Sequence, residues 1–130
     1  MVNSRRFYKE LGNLFYAIAA ADKNISEKEK KALDEEVQFA WKNYDHTTDR
    51  FGTDRAFLIE FEFETMEDID EPAETAYQAF ETFFNENKEQ IDEHTRTRIF
   101  NSARHIAEGM RKINQEELEY LVRLKKLLNV

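Results

Sequence analysis

The chain contains no cysteine. Disulfides, thiolate zinc sites and cysteine nucleophiles are thereby excluded, and a reducing compartment is compatible with the composition. Three glycines and one proline in 130 residues are too few turn-formers for a succession of hairpins. The abundance of Ala, Leu, Glu and Lys instead favours an all-α domain. Long hydrophobic runs are missing as well: the longest, Leu11 to Ala21, has eleven residues, about half of what a bilayer crossing needs. No HExxH pair, phosphate-binding loop or cofactor signature occurs, so no catalytic constellation is legible.

Basic charge is absent from one long stretch. Between Ala56 and Asn87 there is no Lys or Arg, while ten acids occur, from Glu60, Glu62, Glu64, Glu67 and Asp68 through Asp70, Glu71, Glu74, Glu81 and Glu86. The formal charge is −8, and the remainder of the chain holds 17 acids against all 19 bases. One segment therefore supplies the whole negative field. A net acidic chain argues against nucleic-acid binding, which depends on Lys and Arg neutralising phosphates.

At this length one domain, residues 1–130, can bury roughly two-thirds of its unfolded surface without a covalent staple. Ser4-Arg5-Arg6 followed by an apolar run ending in Ala19-Ala20-Ala21 imitates a secretory signal. Glu10 interrupts the approach and Gly12 and Asn13 dilute the run, so the segment reads as a folded helix. The expected location is cytoplasmic.

Taken in order, Phe7, Leu11, Leu14, Ile18 and Ala21 follow a helical rhythm, widened by Phe15 and Ala19, and predict a first helix over residues 4–21 with one buried face. Asp22-Lys23-Asn24 is a turn and Ile25 an anchor. Ser26 and Glu29 form a capping box that opens a second helix reaching Tyr44, with Leu33, Val37, Ala40 and Tyr44 inward and Trp41 beside them. Asp45 to Asp54 is a polar connection.

In Arg55 to Met66, Ile59, Phe61 and Phe63 alternate with glutamates, which is a strand period. No second alternating run exists to pair with it, so helix is favoured, with Ala56, Ile59, Phe63 and Met66 inward. Asp70-Glu71-Pro72 starts a helix that buries Ala73, Ala76, Tyr77, Phe80, Phe83 and Phe84 and ends at Asn85-Glu86-Asn87. Asp92 caps a fifth helix with a stripe of Ile99, Ala103, Ile106 and Met110. Asn114 and Glu117 open a sixth, with an Ile113–Leu118 staple and Leu118, Leu121, Leu124 and Leu128 facing the core.

The two ends of the chain match. At an offset of 88 residues, Asn13, Ile18, Ala19, Ile25, Glu29 and Leu33 coincide with Asn101, Ile106, Ala107, Ile113, Glu117 and Leu121. These identities fall on a helix end, an anchor and a capping glutamate. The expected architecture is thus a bundle of about six helices containing two pseudo-symmetric helix–turn–helix units.

The first unit, Ile18-Ala19-x-Ala21-Asp22-Lys23-x-Ile25-Ser26-x-x-Glu29, resembles the A-D-G-x-I-s-x-x-E signature of the TerB-like tellurite-resistance family. That resemblance implies a compact all-helical domain with an internal duplication, a role in stress response without catalysis, and divalent metal held by acidic residues near the turn. Asp22 and Glu29 match the signature in the first unit. Lys23 replaces its glycine, and in the second unit Met110 and Arg111 stand where the aspartate and glycine would be, so the implied metal site belongs to the first unit.

Several site readings follow. Asp22, Asn24, Ser26 and Lys30 fall on ligand positions of a calcium loop, but Glu27 replaces the obligatory glycine and Leu33 the final glutamate, which excludes an EF-hand. Asp22 and Glu29 remain candidates for a looser calcium, magnesium or manganese site; the plainer reading is that Glu29 caps its helix and Asp22 is a turn residue. His46, His94 and His105 lack metal-ligand spacing. Phe61, Phe63, Phe80, Phe83 and Phe84 read as core. Glu60, Glu62, Glu64, Glu67 and Asp68 form a candidate surface for a basic protein partner, drawn by complementary charge. The rival reading uses the same carboxylates as the acid–base pair of a hydrolase or lyase. An exposed Trp41–Tyr44 edge would suit a homodimer.

Overall fold

The computed structural model describes residues 4–42, 44, 55–110 and 113–130. It is all-helical over these residues: α1 is Ser4–Ala19, α2 Glu27–Glu36, α3 Leu58–Asp68, α4 Ala73–Asn87, α5 Glu93–Ala107 and α6 Gln115–Leu128. The Asp45 to Asp54 connection, His46, Arg111 and the Met110 side chain lie outside the description. Helix prevails over strand between Arg55 and Met66, where a 3₁₀ turn, Arg55–Phe57, leads into α3.

The first helix is the axis of the bundle. Every residue from Leu11 to Ala19 is buried, and α1 packs against α3, α4, α5 and α6. The amphipathic stripe expected of it exists only in its first two turns; beyond Leu11 the helix is apolar nearly all round and is enclosed accordingly. It stops at Ala19, two residues earlier than its stripe predicts. Ala20 to Lys23 complete the turn, with the Lys23 amide donating to the Ala20 carbonyl at 2.9 Å and Lys23 itself in the left-handed region at φ 65°. This is a conformation that glycine adopts without steric cost and that a lysine adopts only against one.

Gly12 sets the closest crossing. A Cβ there would lie 2.7 Å from the Ile59 carbonyl oxygen and 2.7 Å from the Glu62 Cβ, so α1 and α3 approach to a distance that only glycine permits. The approach buries Ile59 and Phe63 on α3 and sets Tyr16 edge-on to Phe63 at 5.7 Å. Met66 is half-buried against the same core.

The second helix does not continue as α-helix to Tyr44. It passes into a π-helical turn, Val37–Trp41, closed by the Lys42 amide donating to the Val37 carbonyl at 2.8 Å. The wider turn brings Trp41 inward beneath Val37 and leaves Ala40 half-buried. Trp41 is fully buried and its indole nitrogen donates to Ser102 Oγ at 3.0 Å. The Ser102 hydroxyl in turn donates to Glu36, and Arg98 of α5 bonds the Ala40 carbonyl and lies over the Trp41 ring. Trp41 is therefore core, whereas Tyr44, expected inward, is 36% exposed with its hydroxyl bonded to Thr95 Oγ1 at 2.6 Å.

Two apolar expectations fail in the same way. Phe61 is 68% exposed and Leu118 46% exposed; the buried face of α3 is made by Ile59, Glu62 and Phe63 and that of α6 by Glu117, Leu121, Leu124 and Leu128. Phe80, Phe83 and Phe84 are buried as expected, with Tyr77 and Ala76, while Ala73 is half-buried. Leu121, Leu124 and Leu128 complete the core from α6.

Candidate functional site

Both capping boxes form. The Glu29 amide donates to Ser26 Oγ at 3.0 Å and Glu29 Oε1 accepts the Ser26 amide at 2.9 Å. In the second unit the Glu117 amide donates to Asn114 Oδ1 at 2.8 Å and Glu117 Oε1 accepts the Asn114 amide at 3.3 Å. Each box uses one oxygen of its glutamate and points the carboxyl inward, since Glu29 is 2% and Glu117 1% exposed.

These matched glutamates meet. The Glu29 carboxyl lies close enough to raise that of Glu117, whose Oε2 is buried with no hydrogen-bond partner among the described residues. Two ionised carboxylates so placed would repel, so Glu117 holds a proton at neutral pH. Burial first, then the Glu29 carboxyl, push Glu117 up to about 9. The approach is fixed by Gly109, where a Cβ would stand 3.0 Å from the Lys28 carbonyl oxygen, so the turn after α5 lies on the first turn of α2.

Asp22 faces the second unit instead of Glu29. Its Oδ1 accepts the Asn24 amide at 2.9 Å, closing the turn, and its Oδ2 accepts from Asn114 Nδ2 at 2.7 Å. The sequence reading confined this chemistry to the first unit; the cluster spans both, with Asn114 and Glu117 contributed by the second. Among the described residues no three His, Asp or Glu side chains are grouped as a metal ion requires. The residues that reasoning from one unit missed were Asn114 and Glu117, and the signal was present, because the capping glutamate is one of the matched positions.

A second carboxyl cluster lies on the surface between α2 and α3. Glu60 hydrogen-bonds Asp34 and is pushed up to about 7 by burial, by that bond and by the charges of Asp34 and Glu64. Lys30 of α2 pairs with Glu67 at 2.8 Å. Glu64 and Asp68 are exposed beside them. Glu62, expected on this face, is not on it: it is 8% exposed, turned against Gly12, and burial raises its carboxyl. Of the residues expected on an acidic face, Glu60, Glu64, Glu67 and Asp68 thus lie together, with Asp34 beside them on α2.

Other polar groups are tied to the scaffold. Glu74 takes a two-pronged contact from Arg123, at 2.6 and 3.0 Å, and accepts from the Tyr120 hydroxyl at 3.0 Å. These donors pull its carboxyl down to about 2, and the Arg123 guanidinium lies 4.3 Å from the centre of the Tyr77 ring. His105 stands 3.7 Å from Glu35 and 3.9 Å from Glu36, and His94 is exposed.

No family model, curated protein or solved structure matches this chain. No helix among the described residues is long and apolar enough to cross a membrane.

Proposed function

We propose that the protein is a non-enzymatic helical interaction module of the stress-response kind suggested by its turn motif, which docks a basic protein partner on the carboxylate face of α3. The observation that carries this reading is the pairing of Asp34 with Glu60: burial first, then the Asp34 carboxyl beside it and last the charge of Glu64 raise Glu60 to about 7. A Lys or Arg brought by a partner would relieve the repulsion among these carboxyls on contact, which gives specificity and a charge-steered on-rate.

The exposed aromatic Phe61 borders the same face and offers the apolar area that charge alone lacks. Titration near neutrality would also suit a general acid, and this is the feature favouring a carboxylate-based hydrolase or lyase. Such chemistry requires a nucleophile or oxyanion donors beside the pair, and the module reading needs neither.

Pull-down with wild-type protein and the Glu60→Gln/Glu64→Gln variant, at low and high ionic strength, tests the proposal. A protein partner lost both on neutralisation and in salt is the expected result. Salt-insensitive capture that survives the double substitution would remove the acidic face from the interaction.

A further inference from the structure

The groove between α1 and α2 is filled by α3. On the α1 side a Cβ at Gly12 would meet the Ile59 carbonyl oxygen at 2.7 Å, and Tyr16 stands edge-on to Phe63. On the α2 side Lys30 pairs with Glu67 at 2.8 Å and Asp34 lies beside Glu60. Gly12, Tyr16, Lys30 and Asp34 thus mark the seat of one helix on the first hairpin. At the offset of 88 residues that relates the two hairpins, the same seat on the second falls on Phe100, Arg104, Leu118 and Val122.

That second seat is open. Leu118 and Val122 are each 46% exposed, Arg104 is exposed and Phe100 is half-buried, whereas Gly12 and Tyr16 are buried. The fourth helix reaches α6 from its other flank: Tyr120 and Arg123 bond Glu74, and Tyr120, two residues from both Leu118 and Val122, lies about 200° round the helix from each. Where the first hairpin meets α3 with the charged Lys30 and Asp34, the second presents a leucine and a valine one turn apart on one stripe. Apolar side chains scattered singly on a surface need no explanation. Two in register, on the positions that seat a helix elsewhere in the same chain, mark a surface that binds.

We infer that the groove between α5 and α6 receives an amphipathic helix of a protein partner, acidic at its flanks and small-sided opposite Phe100, seated as α3 is on the first hairpin. The shape comes from two antiparallel helices, the start of α5 being tied to the end of α6 by Arg96 and the Leu128 carbonyl; a third helix fills such a groove with anchors at i, i+3 or i+4 and i+7. The Phe100 ring stands where Gly12 admits α3 to backbone contact, so the occupant lies farther out and places Ala or Gly over the ring. Its charge follows from the rim. Arg104 on α5, 3.5 Å from Glu108, and Lys125 on α6 are both exposed. Lys125 lies on the Leu118 side of Val122, while Glu119 is about 60° beyond Val122 on the outer side. Carboxylates of the occupant would meet Arg104 and Lys125 as Glu67 meets Lys30. The acids of residues 56–87 oppose this only weakly, since charges beyond about 8 Å are screened at physiological ionic strength. The surface is distinct from the carboxylate face of α3 and selects the opposite charge.

Fluorescence anisotropy of the full chain with three labelled peptides decides it. Each is about 18 residues long, enough to populate a helix, with leucines at i, i+4 and i+7 spacing and one alanine among them; the flanking positions are all Glu, all Gln or all Lys. The Glu peptide is expected to bind most tightly. Leu118→Glu/Val122→Glu should weaken it by about tenfold or more, and Arg104→Glu/Lys125→Glu should reverse the order in favour of the Lys peptide. These positions are exposed, and circular dichroism checks that each variant folds. No binding of the Glu peptide, equal binding of the Glu and Gln peptides, or binding indifferent to Leu118→Glu/Val122→Glu would overturn the inference. So would a wild-type dimer in sedimentation that Leu118→Glu/Val122→Glu returns to monomer, because the occupant would then be a second copy. The reading of the α3 face stands or falls separately: Glu60→Gln/Glu64→Gln removes any Lys-peptide binding there and leaves the Glu peptide bound.

Discussion

Glu29 and Glu117, 88 residues apart in sequence, are the third-position glutamates of two capping boxes and face one another in the interior of the bundle, where burial and the Glu29 carboxyl raise Glu117. Each closes its own helix with one oxygen and faces the other with the second. Local capping and long-range packing therefore depend on the same two side chains.

The proton on Glu117 gives stability a pH dependence of unusual sign for a carboxylate. Glu117 moves from its ordinary 4.5 up to about 9 on folding, so between these values the folded chain holds a proton that the unfolded chain has released. Stability from this group is complete below about 4.5 and is lost as pH rises towards 9. Glu60, raised to about 7, adds in the same direction over the lower part of that range. Denaturant unfolding should show a loss on the order of 2 kcal/mol across the window, discounted from the full shift because the sites are coupled. Glu117→Gln keeps the bond to the Asn114 amide and is neutral at every pH. It should flatten most of the slope; a variant with the wild-type slope would place the proton elsewhere.

The crossing of α1 and α3 predicts an asymmetric response to adding one methyl group. Gly12→Ala drives a Cβ to 2.7 Å from a backbone oxygen, which cannot be relieved by turning a side chain, and should destabilise by about 2 kcal/mol or more. Gly109→Ala meets backbone at 3.0 to 3.1 Å, a gap that a small shift of the turn can open, so the cost should be smaller. Thermal melts of the two variants compare them directly, and equal losses would mean that the helix crossing is more compliant than its distances indicate.

Much of this arrangement is legible in the sequence, for identifiable reasons. Capping at Ser26, Asp92 and Asn114 is local, and all three side chains accept the expected amide. The helical assignment of α3 follows from the lack of a partner strand. The π-helical turn at Val37–Trp41 leaves no signature of its own, because Val37 and Trp41 are also four apart in an ordinary helix. Phe61 was misplaced because the alternation with glutamates puts it beside Phe63 in kind, whereas a helix puts the two 200° apart. For the candidate site, the matched positions disclosed both glutamates as caps, but whether two hairpins pack head to head is a matter of tertiary contact that periodicity does not encode.

Arg123 and Glu74 predict the opposite behaviour in acid. Glu74 is held down to about 2 by Arg123, Tyr120 and Gln78, so its contribution is present above its ordinary 4.5 and is lost as pH falls towards 2. Both side chains are nearly half exposed, which limits the effect to about 1 kcal/mol. Glu74→Gln should remove that acid-side loss and leave the alkaline slope from Glu117 unchanged. Two independent titrations are expected since the groups have no common partner; a change in the alkaline limb would show that α4 and the capping pair are coupled.

Divalent metal provides the sharpest test of the cluster around Asp22. A cation taken up between Glu29 and Glu117 must displace the proton on Glu117, so uptake releases a proton and strengthens with pH. Were calcium, magnesium or manganese to enter this cluster, the melting temperature would rise little at neutral pH and more as pH approaches 9, where Glu117 loses its proton. The Glu29→Gln/Glu117→Gln variant, neutral at both positions, should show no such gain, and Asp22→Asn should reduce it only if Asp22 turns from Asn114 to the ion. Calorimetry in buffers of different ionisation enthalpy reads the released proton directly. A pH-independent metal effect, or one that survives the double glutamine variant, would assign any bound ion to the Asp34–Glu60–Glu64 cluster on α2 and α3 and leave the Glu29–Glu117 pair as a protonated clasp between the two hairpins.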